Sequence, residues 1–267
     1  MVKYYEIIDG GENNVYHFLF YMISNFLIAN INEKIVYYYP NKANSKVSEG
    51  FLALLPPNFE RHLIKDPAIE YKSFMGAIPI FHDIALPQSY LLIRHLFKAH
   101  MSPDIIPGKK TYIQRKQSAT KTRTFVNEAQ VQSGLEGLGY TTVCLEDLSI
   151  LEQIKLVSES EFIIAAHGAA LAFTVFCNQK AKVVEIYDKF NTEKKHFYHI
   201  AHVLKHGFFR FQSILEIDKV NETMLVDTNK SMEFQSILEI DKVNETMLVD
   251  TNKSMEFLGE WHINGLF

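Results

Sequence analysis

The sequence predicts an α/β fold with two halves, each made of β-strands that alternate with α-helices. In the second half, short runs of β-branched and apolar residues regularly precede helical segments, which is typical of parallel βαβ units. Two prolines, one glycine and two lysines within residues 102–110 indicate a linker. The 267 residues suffice for two modest domains. We therefore predict domains at 1–101 and 111–210, with a ligand cleft between them at the carboxyl ends of the strands.

The elements of the first half follow from β-rich runs and from glycine and proline breaks. Strands are predicted at 3–8, 34–39 and 77–81, and Pro79 places the last one at a sheet edge. Helices are predicted from Asn13 or Asn14 to about residue 30, at 48–55, and at 87–100, where Pro87 occupies the first turn.

The second half is more regular. Strands are predicted at 111–114, 141–145, 162–166 and 182–187. Helices are predicted at 125–138, closed by Gly139, and from the cap residue Ser149 to about 159. A further helix opens after His167 and Gly168, and another covers 192–206.

The composition excludes several classes of function. Apolar residues make up 47% and charged residues 22%, and the net charge of −4 lacks the basic surplus of a nucleic-acid binder. Cys144 and Cys177 are too few for a disulfide framework and predict reduced thiols. The most apolar stretch, 15–29, is shorter than the roughly 20 residues of a membrane span. With no targeting segment in view, we expect a cytoplasmic protein.

The tail, 211–267, contains a duplication. Residues 212–234 recur letter for letter at 235–257. A solenoid array drifts in sequence and needs about three or more copies for stability. We therefore assign no function to the repeat.

The strongest chemical signal is the segment 162–173, in which a buried strand runs into His167-Gly168-Ala169-Ala170 and a helix. Backbone N–H groups at the start of a helix lack internal partners and face the positive end of the helix dipole, so phosphate binds there readily. Small residues let a ligand approach the backbone. Tight packing of the helix on the strand, which also needs small residues, is the alternative.

A second signal is the basic stretch 115–123, which follows the first strand of the second half. It carries four cations: Arg115, Lys116, Lys121 and Arg123. Such a stretch can neutralise a pyrophosphate without a metal, because arginine offers two parallel hydrogen bonds. On its own it is more typical of a solvated loop, but it should lie at the same sheet edge as His167, and the two features together favour a phosphate site.

Together these elements resemble glycosyltransferase family 61. The resemblance covers about residues 112–187, with a first-half motif at 13–19. Tyr21, soon after the histidine of that motif, stands at a position that is often acidic in the family. The matching elements occur in one order: Arg115, Arg123, Asn127-Glu128, Gly139-Tyr140, Glu146-Asp147-Leu148-Ser149, Glu152-Gln153, His167-Gly168-Ala169-Ala170-Leu171 and Val184-Glu185-Ile186.

The resemblance implies a two-domain GT-B architecture and an inverting transfer from a UDP-sugar to a glycan hydroxyl. Xylose is the favoured sugar and N-acetylglucosamine the next, as in small soluble xylosyltransferase-like members from viruses or microbes. The chain contains no Asp-x-Asp, so we expect no metal cofactor. The resemblance also implies that Arg115, Arg123 and residues His167 to Ala170 bind the pyrophosphate. The nucleotide base and the ribose are expected to contact the region of Glu146 and Ser149, and Glu185 is expected to make a further ribose contact.

An inverting transfer also needs a general base near the acceptor hydroxyl. We expect it in the first half, with Asp83 and His17 as the leading candidates. Two other functions stay open: a nucleotide-binding module without transferase activity, and a phosphate-ester hydrolase that uses His167. A histidine stripe at 196, 199, 202 and 206 could bind a metal, but no Cys or carboxylate completes it.

Overall fold

Two all-parallel β-sheets organise the described part of the chain. The computed structural model describes residues 3–6, 14–23, 35–40, 46–64, 85–116, 125, 127–187 and 194–213. All of them belong to one unit, Met1–Thr228. The α/β prediction with two parallel sheets is confirmed. The predicted strand at 77–81 and almost all of the tail lie outside the described residues.

The first sheet has three strands in the order β1-β2-β3: β1 (Lys3–Glu6), β2 (Ile35–Pro40) and β3 (Phe59–Ile64). Helix α1 (Val15–His17) continues as a π-helical turn, Phe18–Met22, and α2 (Lys46–Leu52) precedes β3. The Asn14 side chain caps α1 by accepting hydrogen bonds from two backbone N–H groups, as expected of an N-cap asparagine. The sequence did not predict β3, because its charged residues obscure the alternation that marks a half-buried strand.

Helix α3 (Pro87–Phe97) and a short 3₁₀ turn, Lys98–His100, connect to the second sheet. The second sheet contains β4 (Lys110–Gln114), β5 (Thr141–Cys144), β6 (Phe162–Ala166), β7 (Lys182–Tyr187) and β8 (Gly207–Gln212). Between these strands lie α4 (Glu128–Gly137), α5 (Ile150–Glu159), the 3₁₀ helix Ala169–Phe176 and α6 (His196–Leu204).

The strand order of the second sheet is β5-β4-β6-β7-β8. The chain enters at β4, moves outwards to β5, and then returns to β6 on the opposite side of β4. The loops after β4 and β6 therefore leave the sheet in different directions and open a crevice between them. In open α/β sheets, this switch point at the carboxyl ends of the strands is where ligands bind.

Aromatic side chains from both halves share one core. Phe51 of α2 stacks on Phe173 and Phe176 of the 3₁₀ helix, with ring centroids 5.6 and 6.1 Å apart. Phe97 of α3 meets Phe176 edge to face at 5.8 Å. All four rings are fully buried, and each such burial stabilises the fold by roughly 1.5–3 kcal/mol. This core fixes the 3₁₀ helix, whose first residues border the switch point.

A buried polar pair holds the carboxyl-terminal end of β4 against α4. The Tyr112 hydroxyl donates a 2.5 Å hydrogen bond to Glu128, whose carboxyl group is buried. Burial raises the pKa of Glu128, although hydrogen bonds from Tyr112, Gln114 and the Phe125 backbone act in the opposite direction. Glu128 therefore belongs to the buried contact between β4 and α4.

A second buried ionisable group lies where α6 meets β8. His206 is 8% exposed. Burial, and after it the nearby Arg94 cation, lower the pKa of His206 to about 4. The Arg94 guanidinium itself donates to the backbone carbonyls of Val175 and Cys177, at 2.7 and 2.5 Å, and so closes the end of the 3₁₀ helix.

Candidate functional site

The two segments that the sequence singled out meet at the switch point of the second sheet. Arg115 directly follows β4, and His167 and Gly168 directly follow β6, the neighbouring strand. The Arg115 guanidinium donates a hydrogen bond to the His167 backbone carbonyl, with Nη2 and O 2.8 Å apart. A cation is thereby fixed at the mouth of the crevice where a parallel sheet binds its ligand.

Gly168 is required by this contact. A Cβ atom at residue 168 would lie 1.5 Å from Nη2 of Arg115, well inside contact distance. The backbone of Gly168 also adopts φ 155° and ψ −175°, a region that essentially only glycine occupies. Both observations show that the turn is shaped around the arginine.

The helix after Gly168 is a 3₁₀ helix, Ala169–Phe176, where the sequence predicted a helix without specifying its type. Its first internal hydrogen bond runs from the Leu171 N–H to the Gly168 carbonyl. The N–H groups of Gly168, Ala169 and Ala170 therefore precede the helical ladder, as the opening N–H groups of any helix do. The partial positive charge at the start of a helix favours a negatively charged ligand there.

The strand register places Arg115, His167, Glu185 and Arg210 on one face of the sheet. Ile113, Ala165, Glu185 and Arg210 form a cross-strand row through β4, β6, β7 and β8. Side chains along a strand alternate between the faces, so residues two positions apart share a face. His167 therefore follows Ala165 on the same face as Glu185, and Arg115 follows Ile113 there.

On this face of the sheet, the Glu185 carboxylate hydrogen-bonds to both His167 and Arg210. One carboxylate oxygen accepts a hydrogen bond from Nδ1 of His167, and the other accepts one from Nε of Arg210 at 2.8 Å. The Arg210 guanidinium also lies over the Tyr187 ring, 4.0 Å from its centroid. His167 is 4% exposed and Glu185 1%, so the pair is shielded from bulk water and interacts strongly. The sequence analysis assigned Glu185 to a ribose; in the structure both of its oxygens contact protein side chains.

Aromatic rings surround His167. Phe197 of α6 meets the imidazole edge to face, with centroids 5.2 Å apart. Tyr16 of α1 in turn contacts Phe197 at 6.0 Å and His196 at 5.1 Å. The first-half motif thus reaches the histidine through Tyr16, which is buried, whereas the neighbouring His17 is exposed.

The residues after β5 lie at the same edge of the sheet, beside β4. Lys116 forms an exposed ion pair with Asp147, and Lys46 of α2 donates to the backbone carbonyl of Glu146 at 3.0 Å. Ser149 is the N-cap of α5 and forms a reciprocal capping box with Glu152. Glu146 is exposed beside the switch point. The hydroxyl of Ser149, in contrast, forms its hydrogen bonds with Glu152 in the cap of α5.

Some predicted residues cannot be placed. Asp83 and Arg123 lie outside the described residues, as do Lys121 and the rest of the basic stretch beyond Lys116. Within the described ranges, no group of three or more His, Cys, Asp or Glu side chains is arranged to hold a metal ion. In the same ranges no helix has both the length and the apolar character that crossing a membrane requires. Cys144 and Cys177 are free thiols, and the cytoplasmic location stays a prediction.

Sequence reasoning missed Arg210, Tyr187 and Phe197. Arg210 occurs in an aromatic stretch that carries no motif, and only its pairing opposite Glu185 in the sheet reveals a role. A cation placed in an otherwise apolar strand is the one signal that could have drawn attention to it, because such a charge needs a partner.

Comparisons with known proteins show the family to which the chain belongs. The model of the family described as Glycosyltransferase 61 matches residues 15–184, which is 170 of the 267 residues. Protein O-linked-mannose beta-1,4-N-acetylglucosaminyltransferase 2 from human and from chimpanzee is 34% identical over 73 residues, and the dog protein 33%. That alignment covers 26% of this chain and only 13% of each relative.

Among solved structures, the chain is similar to the bacterial iron-containing dodecameric glycosyltransferase TibC from enterotoxigenic E. coli H10407. The TM-score is 0.43 at 12% identity, and the similarity covers 70% of this chain and 57% of TibC. The family match includes most of the first-half motif, the switch-point segments and the first half of β7. The chain belongs to the glycosyltransferase 61 family.

Proposed function

We propose that this glycosyltransferase moves a sugar from a UDP-sugar to a hydroxyl of a glycan acceptor, with inversion and without a metal ion. The observation that carries the proposal is the Arg115–His167 contact at the switch point of the second sheet. It joins a fixed cation, an imidazole and the opening N–H groups of a helix at the edge where ligands of such sheets bind.

The donor diphosphate is the part of a UDP-sugar that these groups recognise. In the transfer, the bond between the sugar's anomeric carbon and the β-phosphate oxygen breaks, and negative charge grows on the departing UDP. Preorganised positive charge and N–H donors at that position stabilise the transition state more than the ground state. Arg115 and the turn from His167 to Ala170 supply this stabilisation here, and Arg123 is predicted to add to it.

His167 has a defined part in this proposal. Nδ1 donates to Glu185, so Nε2 is the nitrogen available to the donor. Among the described residues, none hydrogen-bonds to Nε2. The His167 ring then lies between two anions, with the Glu185 carboxylate at Nδ1 and the diphosphate at Nε2.

The general base and the donor sugar complete the proposal. Asp83 and His17 stay the candidates for the base in the first half. Xylose was the sugar predicted from the sequence, and the relatives are named for N-acetylglucosamine. We therefore propose these two as the donors to compare first, with UDP-xylose and UDP-N-acetylglucosamine offered to the same acceptors.

The first experiment is calorimetric titration of the full chain with UDP, with GDP, and with UDP in the presence of EDTA. Arg115→Met should weaken UDP binding by roughly ten- to a hundredfold, since a hydrogen bond to a charged group contributes about 1.5–3 kcal/mol. Lys155→Met, which removes an equal charge from the exposed face of α5, is the matched control and should bind UDP normally. Loss of UDP binding on adding EDTA would exclude the metal-free site.

The second experiment measures turnover. Proton NMR of the product should show an anomeric configuration opposite to that of the donor, and transfer should exceed release of free sugar. Free sugar as the main product would favour the hydrolase reading, which the His167–Glu185 pair makes chemically possible. Tight UDP binding without turnover of any UDP-sugar on a broad panel of acceptors would favour a nucleotide-binding module.

A further inference from the structure

Three side chains, His167, Glu185 and Arg210, are joined by hydrogen bonds. Of these three, Arg210 does not belong to the family motifs. It lies on β8, opposite Glu185 in the register, and its Nε donates to one Glu185 oxygen at 2.8 Å. The face of the guanidinium rests on Tyr187 at 4.0 Å. The side chain is 21% exposed, although the carboxylate that it contacts is 1% exposed. Arg210 thus reaches inwards from the sheet edge to a buried group that it has to satisfy.

The geometry has a consequence for the imidazole. A carboxylate has two equivalent oxygens and can rotate, so it does not by itself hold a histidine ring in one orientation. A guanidinium only donates hydrogen bonds, so it captures one oxygen and leaves the other directed at His167. The Tyr187 ring fixes the plane of the guanidinium, and with it the direction of the Nε–H bond.

We propose that Arg210 is a positioning residue. Through Glu185 it fixes the proton of His167 on Nδ1 and thereby directs Nε2 at the donor diphosphate. The inference rests on the proposed function only for the identity of the ligand that meets Nε2. The part that concerns the ring proton holds for the free protein and can be measured without a substrate.

Replacing Glu185 by glutamine provides a sensitive test. In Glu185→Gln, Arg210 still donates and therefore captures the amide oxygen. The amide NH₂ group then faces Nδ1 of His167, which has to accept, so the ring proton moves to Nε2. In Glu185→Gln combined with Arg210→Met, the amide is free to turn, and Nδ1 regains a proton. In Glu185→Gln combined with Arg210→Lys, the ammonium also only donates, so the proton stays on Nε2.

The measurement is nitrogen NMR of the full chain with ¹⁵N-labelled histidine, in which His167 is assigned from the signal lost in His167→Asn. Wild type should show a protonated Nδ1, Glu185→Gln an unprotonated Nδ1, and the Arg210→Met double variant a return towards wild type. Circular dichroism confirms that each variant is folded. The same ring-nitrogen signals in Glu185→Gln with and without Arg210 would overturn the proposal.

A binding arm connects the ring proton to function. Arg210→Met alone should weaken UDP binding by up to roughly tenfold, because Glu185 then no longer holds His167 in one orientation, whereas Arg210→Lys should recover most of the affinity. Lys155→Met again controls for net charge. If wild type binds UDP and Arg210→Met binds it equally well, the positioning role is refuted. If wild type binds no UDP while the ring proton responds as expected, the proposed function fails and the positioning role stands.

Discussion

Replacing Gly168 by alanine tests the closest contact in the site. The added Cβ would lie 1.5 Å from Nη2 of Arg115, so the guanidinium has to leave the His167 carbonyl. The lost hydrogen bond costs about 1.5–3 kcal/mol. Holding alanine at φ 155° costs roughly 1–3 kcal/mol more. We therefore expect the free energy of unfolding to fall by about 3 kcal/mol or more, and UDP binding to weaken roughly as it does in Arg115→Met.

Two other glycines separate the contributions. A Cβ at Gly139 meets nothing within 4 Å, but its φ is 84°, so Gly139→Ala measures the backbone cost alone. Gly137 lies in α4 with open space around it, and alanine there should stabilise the helix by roughly 0.5–1 kcal/mol. Urea denaturation gives the three free energies and calorimetry the UDP affinities. A Gly168→Ala protein no less stable than Gly139→Ala, with wild-type UDP affinity, would refute the close contact.

Three further predictions concern stability. The folded state retains the Glu128 proton above about pH 4.3, the ordinary pKa of glutamate, so the free energy of unfolding of the wild type should fall as the pH rises through the raised pKa. Urea denaturation of Glu128→Gln should show no such dependence on pH. Because His206 stays neutral to about pH 4 in the fold, stability should fall by roughly 3 kcal/mol from pH 6.5 to 4, and an equal slope in His206→Leu would contradict this. Arg94→Met should cost about 1.5–3 kcal/mol through the bonds to Val175 and Cys177, with UDP affinity unchanged; a weaker UDP affinity would show that the end of the 3₁₀ helix shapes the site.

The buried strands could be predicted from sequence almost residue by residue. Strands β6 and β7 have the predicted bounds, 162–166 and 182–187, because continuous apolar runs admit few other structures in a parallel sheet. The N-cap roles of Asn14 and Ser149 also hold, since a cap depends on residues within one turn. Strands β3 and β8 were missed, because an edge strand is defined mainly by the neighbour with which it pairs.

The sequence by itself determined the residues that border the switch point, Arg115 and the turn from His167 to Ala170. Local rules suffice for this, because the carboxyl end of a parallel strand followed by a helix is a recurring anion site. Only the tertiary structure decided that Glu185 joins His167 to Arg210. Those three residues lie on three strands, and their contact depends on strand order and register. Both are set by packing of the whole sheet, and no local pattern of residues encodes them.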